Sequence, residues 1–326
     1  PWKGEVKILI APEKPAQFSL YLRIPGWVQN QPLPSDLYRY METPEDKPLL
    51  KVNGQAFPVK LAKGFVPISR RWEKNDTVEL SLPMPVHRVL AHEAVKADQG
   101  LVAIERGPLV YCAEWPDNNG YVRNVMLEDS FPLKAEVRPD LLKGVTVITG
   151  ETTSYLQRKG QLVSQKQNLI LIPYYAWAHR GKGEMTVWLA RQADKVRPLP
   201  EPTIASFSRV SGSEGRGIEA LNDQFEPENS NDHSTRYFHW WPKKGTLEWV
   251  EYDFKNETLV SEVAVYWFDD TDQGECRVPK SWRVLYKAGE QWLPVKNLDT
   301  YGVEKDKYNS VRFTPVRTHA LRLEVQ

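Results

Sequence analysis

Apolar and polar residues alternate along much of the chain with a period of two, which is typical of half-buried β-strands. Residues 18–24 carry an apolar side chain at every second position, and Pro25-Gly26 ends that pattern. Residues 78–82 repeat it and stop at Pro83. Between these segments, Asn53-Gly54 predicts a tight β-hairpin. Helical periodicity is rare, so the pattern predicts an all-β protein.

Further strand-like segments divide into two groups. The first group comprises residues 101–104, 109–112, 145–149, 168–172 and 185–189, and the second comprises residues 248–254, 262–268, 281–286, 310–313 and 320–325. Between the groups, three prolines in residues 198–202 favour an extended linker. We therefore predict a β-sandwich region over residues 1–196, as one large sandwich or two split near residue 95, a linker over 197–203 and a second domain over 204–326. Residues 31–48, rich in Pro and charge, predict a surface insertion.

Composition excludes several classes of protein. The 326 residues contain 43 Lys and Arg against 42 Asp and Glu, and this balance gives no electrostatic reason to expect a nucleic-acid partner. No apolar run reaches the ~20 residues of a membrane span. Only two cysteines are present, so neither a disulfide framework nor a zinc cluster is indicated. The sequence opens on Pro1-Trp2 without a Met or a signal peptide, and we expect it to be part of a longer protein.

Five ordered motifs in the first 195 residues resemble the region that follows the catalytic barrel in glycoside hydrolase family 127, the β-L-arabinofuranosidase family (DUF1680). They are LRIPGW at 22–27, VNG at 52–54, GFVPI at 64–68 followed by Arg71-Trp72, LVAIERGPLVY at 101–111 and IPYYAWAHRG at 172–181. The resemblance implies an active site in an N-terminal (α/α)6 barrel with a zinc-binding cysteine cluster and glutamates. None of those motifs is present, so we expect this chain to lack the catalytic domain.

The sequence from Ile204 onward resembles a discoidin, or coagulation factor 5/8 C-type, domain. The motifs that carry this resemblance are ALND at 220–223, WVEYDF at 249–254, VAVYW at 263–267, WRVLY at 282–286, VRF at 311–313 and LRLE at 321–324. This resemblance implies a jelly-roll sandwich, so that the chain would consist of tandem antiparallel β-sandwiches ending in a discoidin-like jelly roll. Many bacterial members bind carbohydrate, often with a structural calcium ion.

Calcium is the metal that these residues would suit, because it prefers carboxylate and carbonyl oxygens. By resemblance to the discoidin-type site, Asp223 and carbonyls of residues 220–230 would hold the ion, and Glu324 would close the site. The family's usual glycine after the Asp is replaced by Gln224. An Asx-turn at Asp223 is the alternative. Residues 269–274 contain half of an EF-hand-like pattern, and a solvated loop explains them better.

Sugar binding requires exposed aromatic rings next to groups that hydrogen-bond hydroxyls. One loop supplies this mixture between residues 231 and 241, and a strand end supplies it between residues 267 and 277. The candidate carbohydrate-binding residues are Asp232, His233, Arg236, His239, Trp240, Trp241, Trp267 and Arg277. Trp249, Trp282 and Trp292 lie within strand patterns and are predicted core residues, and we expect at least one of Trp240 and Trp241 to be core as well.

These observations predict a non-catalytic accessory portion of a β-L-arabinofuranosidase-like glycoside hydrolase. Its expected partners are its own N-terminal catalytic barrel and a carbohydrate, a plant arabinan-type glycan, and its expected location is the bacterial periplasm or the extracellular space. A glycosidase needs two carboxylates about 5–9 Å apart, and the sequence selects no such pair. The alternative is a purely structural or protein-interaction module without sugar affinity.

Overall fold

A computed structural model describes residues 2–43, 46–181, 183–227, 229–232 and 236–326. The chain forms two compact units, Pro1–Leu199 (unit 1) and Pro200–Gln326 (unit 2). The division falls within the predicted linker over residues 197–203. β-strands are the main regular structure of the described residues, accompanied by only a few short 3-10 helices, which confirms the predicted all-β class.

Unit 1 contains sixteen strands in its described part. They are β1 (Glu5–Ile10), β2 (Ala16–Arg23), β3 (Tyr38–Tyr40), β4 (Leu49–Val52), β5 (Gln55–Phe57), β6 (Phe65–Trp72), β7 (Asp76–Ser81), β8 (Val86–Ala91), β9 (Leu101–Arg106), β10 (Leu109–Glu114), β11 (Val125–Met126), β12 (Lys134–Arg138), β13 (Val145–Arg158), β14 (Gln161–Pro173), β15 (Met185–Thr186) and β16 (Leu189–Ala190). Its 3-10 helices are Gly26–Gln29, Lys96–Asp98, Trp115–Asp117, Tyr174–Ala176 and Ala193–Lys195.

The first part of unit 1 is a small sandwich. A four-stranded sheet, in the order β1-β7-β4-β5, and the pair β2-β6 enclose one apolar core. Ile24, Ile68 and Trp72 of that core are completely buried. The predicted hairpin joins β4 to β5, and both Asn53 (φ 51°) and Gly54 (φ 74°) adopt the left-handed conformation that a two-residue turn needs.

The second part of unit 1 is built on a ten-stranded sheet. Its order is β15-β10-β14-β13-β11-β16-β9-β8-β3, with β12 on the side of β13. Because β10 also pairs with β9, six of these strands close on themselves around a core that includes Tyr111, Leu127 and Ile148. Closure removes exposed strand edges, which otherwise tend to pair with other chains.

Unit 2 is a five-stranded antiparallel sheet in the order β17-β18-β21-β19-β20. Its strands are β17 (Arg209–Gly212), β18 (Glu248–Tyr266), β19 (Trp282–Ala288), β20 (Gln291–Pro294) and β21 (Tyr308–Val325), and its 3-10 helices are Ala205–Phe207 and Ile218–Leu221. One face of the sheet packs on a core that contains Trp282, Val311 and Phe313. The finer prediction, a discoidin-like jelly roll, stays a prediction.

The structure corrects part of two predictions about individual segments. Within the predicted insertion over residues 31–48, Tyr38–Tyr40 forms β3, because Tyr40 is buried against Val89 and Ala103 of the ten-stranded sheet. In unit 2, the segments 248–254 and 262–268 belong mostly to one strand, β18, which continues through irregularities in its pairing with β21. A bulge lets a strand pass residues such as Asn256 that would otherwise end it.

Candidate carbohydrate-binding site

Two segments of unit 2 come together to form the candidate site: residues 236–244 and residues 267–277, the latter following β18. Two side-chain contacts join them. The Tyr237 ring stacks on the Phe268 ring with centroids 4.4 Å apart, and the Trp241 indole contacts Glu275. Both Tyr237 and Trp241 are exposed, so the two segments present aromatic surface to solvent.

Glu275 positions Trp241. Its carboxylate accepts hydrogen bonds from Trp241 Nε1 at 3.3 Å and from Lys244 Nζ at 3.2 Å. These bonds favour the charged carboxylate and lower its pKa. The indole remains 44% exposed, and its N–H is held against the opposite segment. Such a ring offers an apolar face to a sugar, with charged groups near its edge.

Asp270 shapes the second segment. Its backbone carbonyl accepts hydrogen bonds from the amides of Gln273 and Gly274, and its Oδ1 accepts one from the Cys276 amide at 2.7 Å. Arg277 lies beside it, with Nη1 3.5 Å from Asp270 Oδ1, and also donates to the Cys276 carbonyl at 2.7 Å. The four cations of the two segments, Arg236, Lys243, Lys244 and Arg277, each have a carboxylate partner, which suits a neutral ligand.

Trp267 and Trp240 pack against the core, so their rings are less available to a sugar than the ring of Trp241. Trp267 is only 9% exposed and packs edge-to-face on Trp282 in the core. Trp240 is half-buried, contacts Phe238 edge-to-face and donates its indole N–H to Ser213 Oγ at 3.0 Å. Trp240 is thus the core member of the pair Trp240-Trp241, as the sequence led us to expect of at least one of them.

The other predicted sugar-binding residues take different places. His239 lies near Tyr237, with ring centroids 5.8 Å apart, but its Nδ1 is shielded from solvent. Arg236 forms an ion pair with Glu219 at 3.6 Å. Asp232 lies near Tyr266. Burial raises the pKa of Tyr266, and the nearby carboxylates, including that of Asp232, raise it further. His233 lies outside the described residues.

The predicted calcium ligands Asp223 and Glu324 lie in different surroundings. Asp223 Oδ1 accepts a hydrogen bond from the Phe225 amide at 3.0 Å, which is the Asx-turn alternative, and burial raises the pKa of its carboxyl to about 6. Glu324 forms a salt bridge with Arg283, whose Nε donates to it at 2.7 Å. The two carboxylates thus have different partners, and calcium binding by them stays a prediction.

Within the described ranges of the chain, no group of three His, Cys, Asp or Glu side chains is placed to hold a metal ion. Cys112 and Cys276 are both free thiols. None of the helices in the described part of the chain has the length and apolar content to cross a membrane.

The outer face of the unit 2 sheet carries an arrangement that the sequence pattern missed. Arg322 lies between the rings of Trp249 and Trp292, with its guanidinium carbon 4.7 Å and 4.3 Å from their centroids. Its Nη2 also donates to Glu251 at 3.0 Å. Trp282 is a core residue as predicted, whereas Trp249 and Trp292 are half-buried on the opposite face. In the sequence, Glu251 and Arg322 each lie between two apolar residues, and this alternation indicates that their side chains are on the outer face of the sheet.

Family comparisons assign the first 190 residues. Residues 1–84 match the model described as the beta-L-arabinofuranosidase, GH127 middle domain. Residues 86–190 match the glycoside hydrolase family 127 C-terminal domain. The two matched regions correspond to the small sandwich and the ten-stranded sheet, except that β3 lies in the first region and pairs in the second sheet.

The chain is also similar to individual members of the family. It is 32% identical over 209 residues, 59% of this chain and 29% of the relative, to the non-reducing end beta-L-arabinofuranosidase of Bifidobacterium longum subsp. longum. A solved GH127 beta-arabinofuranosidase shares 41% identity with a TM-score of 0.59, covering 61% of this chain and 31% of that one. The solved GH127 beta-L-arabinofuranosidase of Geobacillus stearothermophilus T6 shares 37% identity with a TM-score of 0.50, covering 59% of this chain and 29% of that one.

This chain therefore spans less than a third of the length of each of these relatives. Residues 1–84 and 86–190 of this chain are thus similar, in order, to the middle and C-terminal domains of glycoside hydrolase family 127.

Proposed function

We propose that the chain is the non-catalytic accessory portion of a β-L-arabinofuranosidase-like glycoside hydrolase. The observation that carries this proposal is the match of residues 1–84 and 86–190 to the middle and C-terminal domains of family 127. By the resemblance described above, the family's chemistry belongs to an N-terminal barrel. Unit 1 would support that barrel, and the parent enzyme would act in the bacterial periplasm or outside the cell.

Unit 2 would hold glycan, an arabinan-type polysaccharide, through the candidate site. Trp241 and Tyr237 supply exposed rings on two segments joined by side-chain contacts. Carboxylates partner each of the four cations of the two segments, so an uncharged sugar meets no unpaired cation there. Sugar hydroxyls would then hydrogen-bond to the charged groups at the edge of the rings.

Binding and turnover of the full chain test this proposal together. We expect no release of arabinose from an aryl β-L-arabinofuranoside, and weak retardation of the chain in native gels that contain arabinan. Trp241→Ala should abolish the part of the retardation that unit 2 contributes, whereas Phe207→Ala, which removes another exposed ring of unit 2, should not. A chelator arm reports whether calcium contributes.

Arabinose release would contradict the accessory role. Retardation that Trp241→Ala leaves unchanged would contradict glycan binding at the candidate site. The absence of retardation by arabinan and related plant polysaccharides would favour the alternative, a structural or protein-interaction module.

A further inference from the structure

Unit 1 exposes an unusual group of aromatic rings on residues 174–181, which follow the end of β14 and are called here the aromatic loop. Tyr174, Tyr175 and Trp177 are 43%, 60% and 38% exposed. The rings of Tyr174 and Trp177 are nearly parallel, at 23°, with centroids 6.1 Å apart. Exposed rings that lie close together in sequence and structure form a candidate binding surface.

Buried charges fix the conformation of this loop. The Glu114 side chain is only 2% exposed, and its Oε1 accepts a hydrogen bond from the Ala178 amide at 3.0 Å. Arg180 donates from Nε to Glu114 Oε2 at 3.0 Å and from Nη1 to Asp117 Oδ1 at 2.8 Å. Paired, hydrogen-bonded charges of this kind impose a specific geometry, because leaving either partner alone in the interior is costly.

Three further features show that the backbone of the loop is tightly constrained. Ala178 has a φ of 67°, a conformation that a residue with a Cβ adopts only when its surroundings enforce it. Just beyond the loop, Gly183 packs flat against Trp115, so that a Cβ there would lie 2.2 Å from the indole. Ala176 is buried and anchors the middle of the loop. The exposed rings are therefore preorganised, which lowers the entropic cost of binding.

The chemistry of the exposed surface selects the ligand class. The positive charge of Arg180 is directed inward and met by two carboxylates. The exposed side chains of the loop include Tyr174, Tyr175, Trp177 and His179. Aromatic faces are electron-rich and attract the C–H groups of a sugar ring, while hydroxyl and imidazole groups hydrogen-bond its hydroxyls. A highly charged ligand would find no complementary charge on these side chains.

We propose that the aromatic loop is a binding site for neutral saccharides, separate from the candidate site of unit 2. Tyr175 and Trp177 supply the contact surface, and Glu114 and Arg180 are positioning residues that hold it in shape. This proposal goes beyond the accessory role proposed above and rests on it only for the choice of arabinan as the probe.

Affinity electrophoresis of the full chain through gels containing soluble arabinan, arabinogalactan or dextran tests the proposal. We expect the double variant Tyr175→Ala/Trp177→Ala to weaken retardation by arabinan at least about tenfold, the factor that 1.4 kcal/mol of lost binding produces. Tyr21→Ala is the matched control, because Tyr21 is a 62% exposed ring elsewhere in unit 1, and it should leave retardation unchanged. Arg180→Lys keeps every ring and should weaken retardation by loosening the loop.

The outcomes separate the two proposed sites. Retardation lost in Trp241→Ala and unchanged in the double variant overturns the aromatic-loop site and leaves the unit 2 site standing. The reverse pattern supports the aromatic loop and contradicts the unit 2 site. An equal loss of retardation in Tyr21→Ala overturns the inference. The absence of retardation on all three polysaccharides also overturns it and would indicate that a protein surface covers these rings.

Discussion

The aromatic loop of unit 1 and the two candidate-site segments of unit 2 both expose aromatic rings, but different interactions hold them in place. Behind the aromatic loop, Arg180 is paired with Glu114 and Asp117 in a largely buried network. In unit 2, Trp241 is held by Glu275, whose ion pair with Lys244 is exposed. Buried pairs constrain strongly and exposed pairs weakly, so the unit 1 surface is the more rigid of the two.

The largest expected effect comes from breaking the buried network. Arg180→Met leaves the Glu114 carboxylate buried without its partner and should destabilise unit 1 by about 3–5 kcal/mol. The matched control is Arg191→Met, because Arg191 forms a similar two-bond pair with Asp129 that is more exposed, and this loss should cost at most about 1 kcal/mol. Urea titrations measure both changes. Equal costs would contradict the contrast between the two regions.

A smaller, pH-dependent effect is expected at Asp223. Burial raises the pKa of its carboxyl to about 6 from 3.8, so the folded protein holds this proton more tightly than the unfolded chain does. The resulting stabilisation is complete below about pH 4 and is lost as pH rises towards about 6. Asp223→Asn cannot ionise and should therefore be more stable than wild type near neutral pH, by on the order of 2 kcal/mol.

Urea midpoints at about pH 4 and about pH 7 measure this difference. We expect the gain of Asp223→Asn over wild type to appear only at the higher pH. A variant that loses stability at about pH 7 would show that the carboxylate has a partner there, as a calcium site would require.

Arg322 offers the next test, since it connects strands on the outer face of unit 2. Arg322→Met removes two cation–π contacts, with Trp249 and Trp292, and should cost about 1–2 kcal/mol. Arg283→Met is the control on the same sheet, because its pair with Glu324 leaves the Arg283 side chain largely exposed. A thermal melt in which the two variants shift equally would argue against a special role for the stacked guanidinium.

The smallest effect on stability is expected at Glu275, whose contacts are at the surface. Glu275→Ala should leave the melting temperature nearly unchanged but release the Trp241 indole. Acrylamide quenching of tryptophan fluorescence should then increase, and the increase should vanish in a Trp241→Phe background. An unchanged quenching constant would mean that Glu275 does not restrain the ring.

The sequence predicts a structural feature of this protein well where a single local pattern of residues determines that feature. Asn53-Gly54 specifies its hairpin by itself, because few residues adopt φ > 0 at both positions of the turn. The period-2 pattern also identifies strands. It does not say which face is the core when both faces carry large apolar residues. The pattern therefore predicts Trp249 and Trp292 as core residues, whereas their contacts with Arg322 place both rings on the outer face of the sheet.

The candidate sites show the same limit. The mixture of rings and polar residues near Trp241 was visible in the sequence, but Glu275 and Lys244 are ordinary loop charges until the fold brings them to the indole. Trp267 looked equally available and is buried, because the end of β18 turns it onto Trp282. The buried pair of Glu114 and Arg180 joins residues 66 positions apart, a contact that no local pattern could indicate.

The most direct test of the account is a calorimetric titration of the full chain with arabinan-derived oligosaccharides. A non-catalytic glycan-binding protein gives injection heats that saturate and return to a flat baseline. We expect that result, with heats reduced in the Tyr175→Ala/Trp177→Ala and Trp241→Ala variants. Heat that continues after each injection would reveal hydrolysis and contradict the non-catalytic role, and the absence of any binding heat would contradict the glycan-binding role.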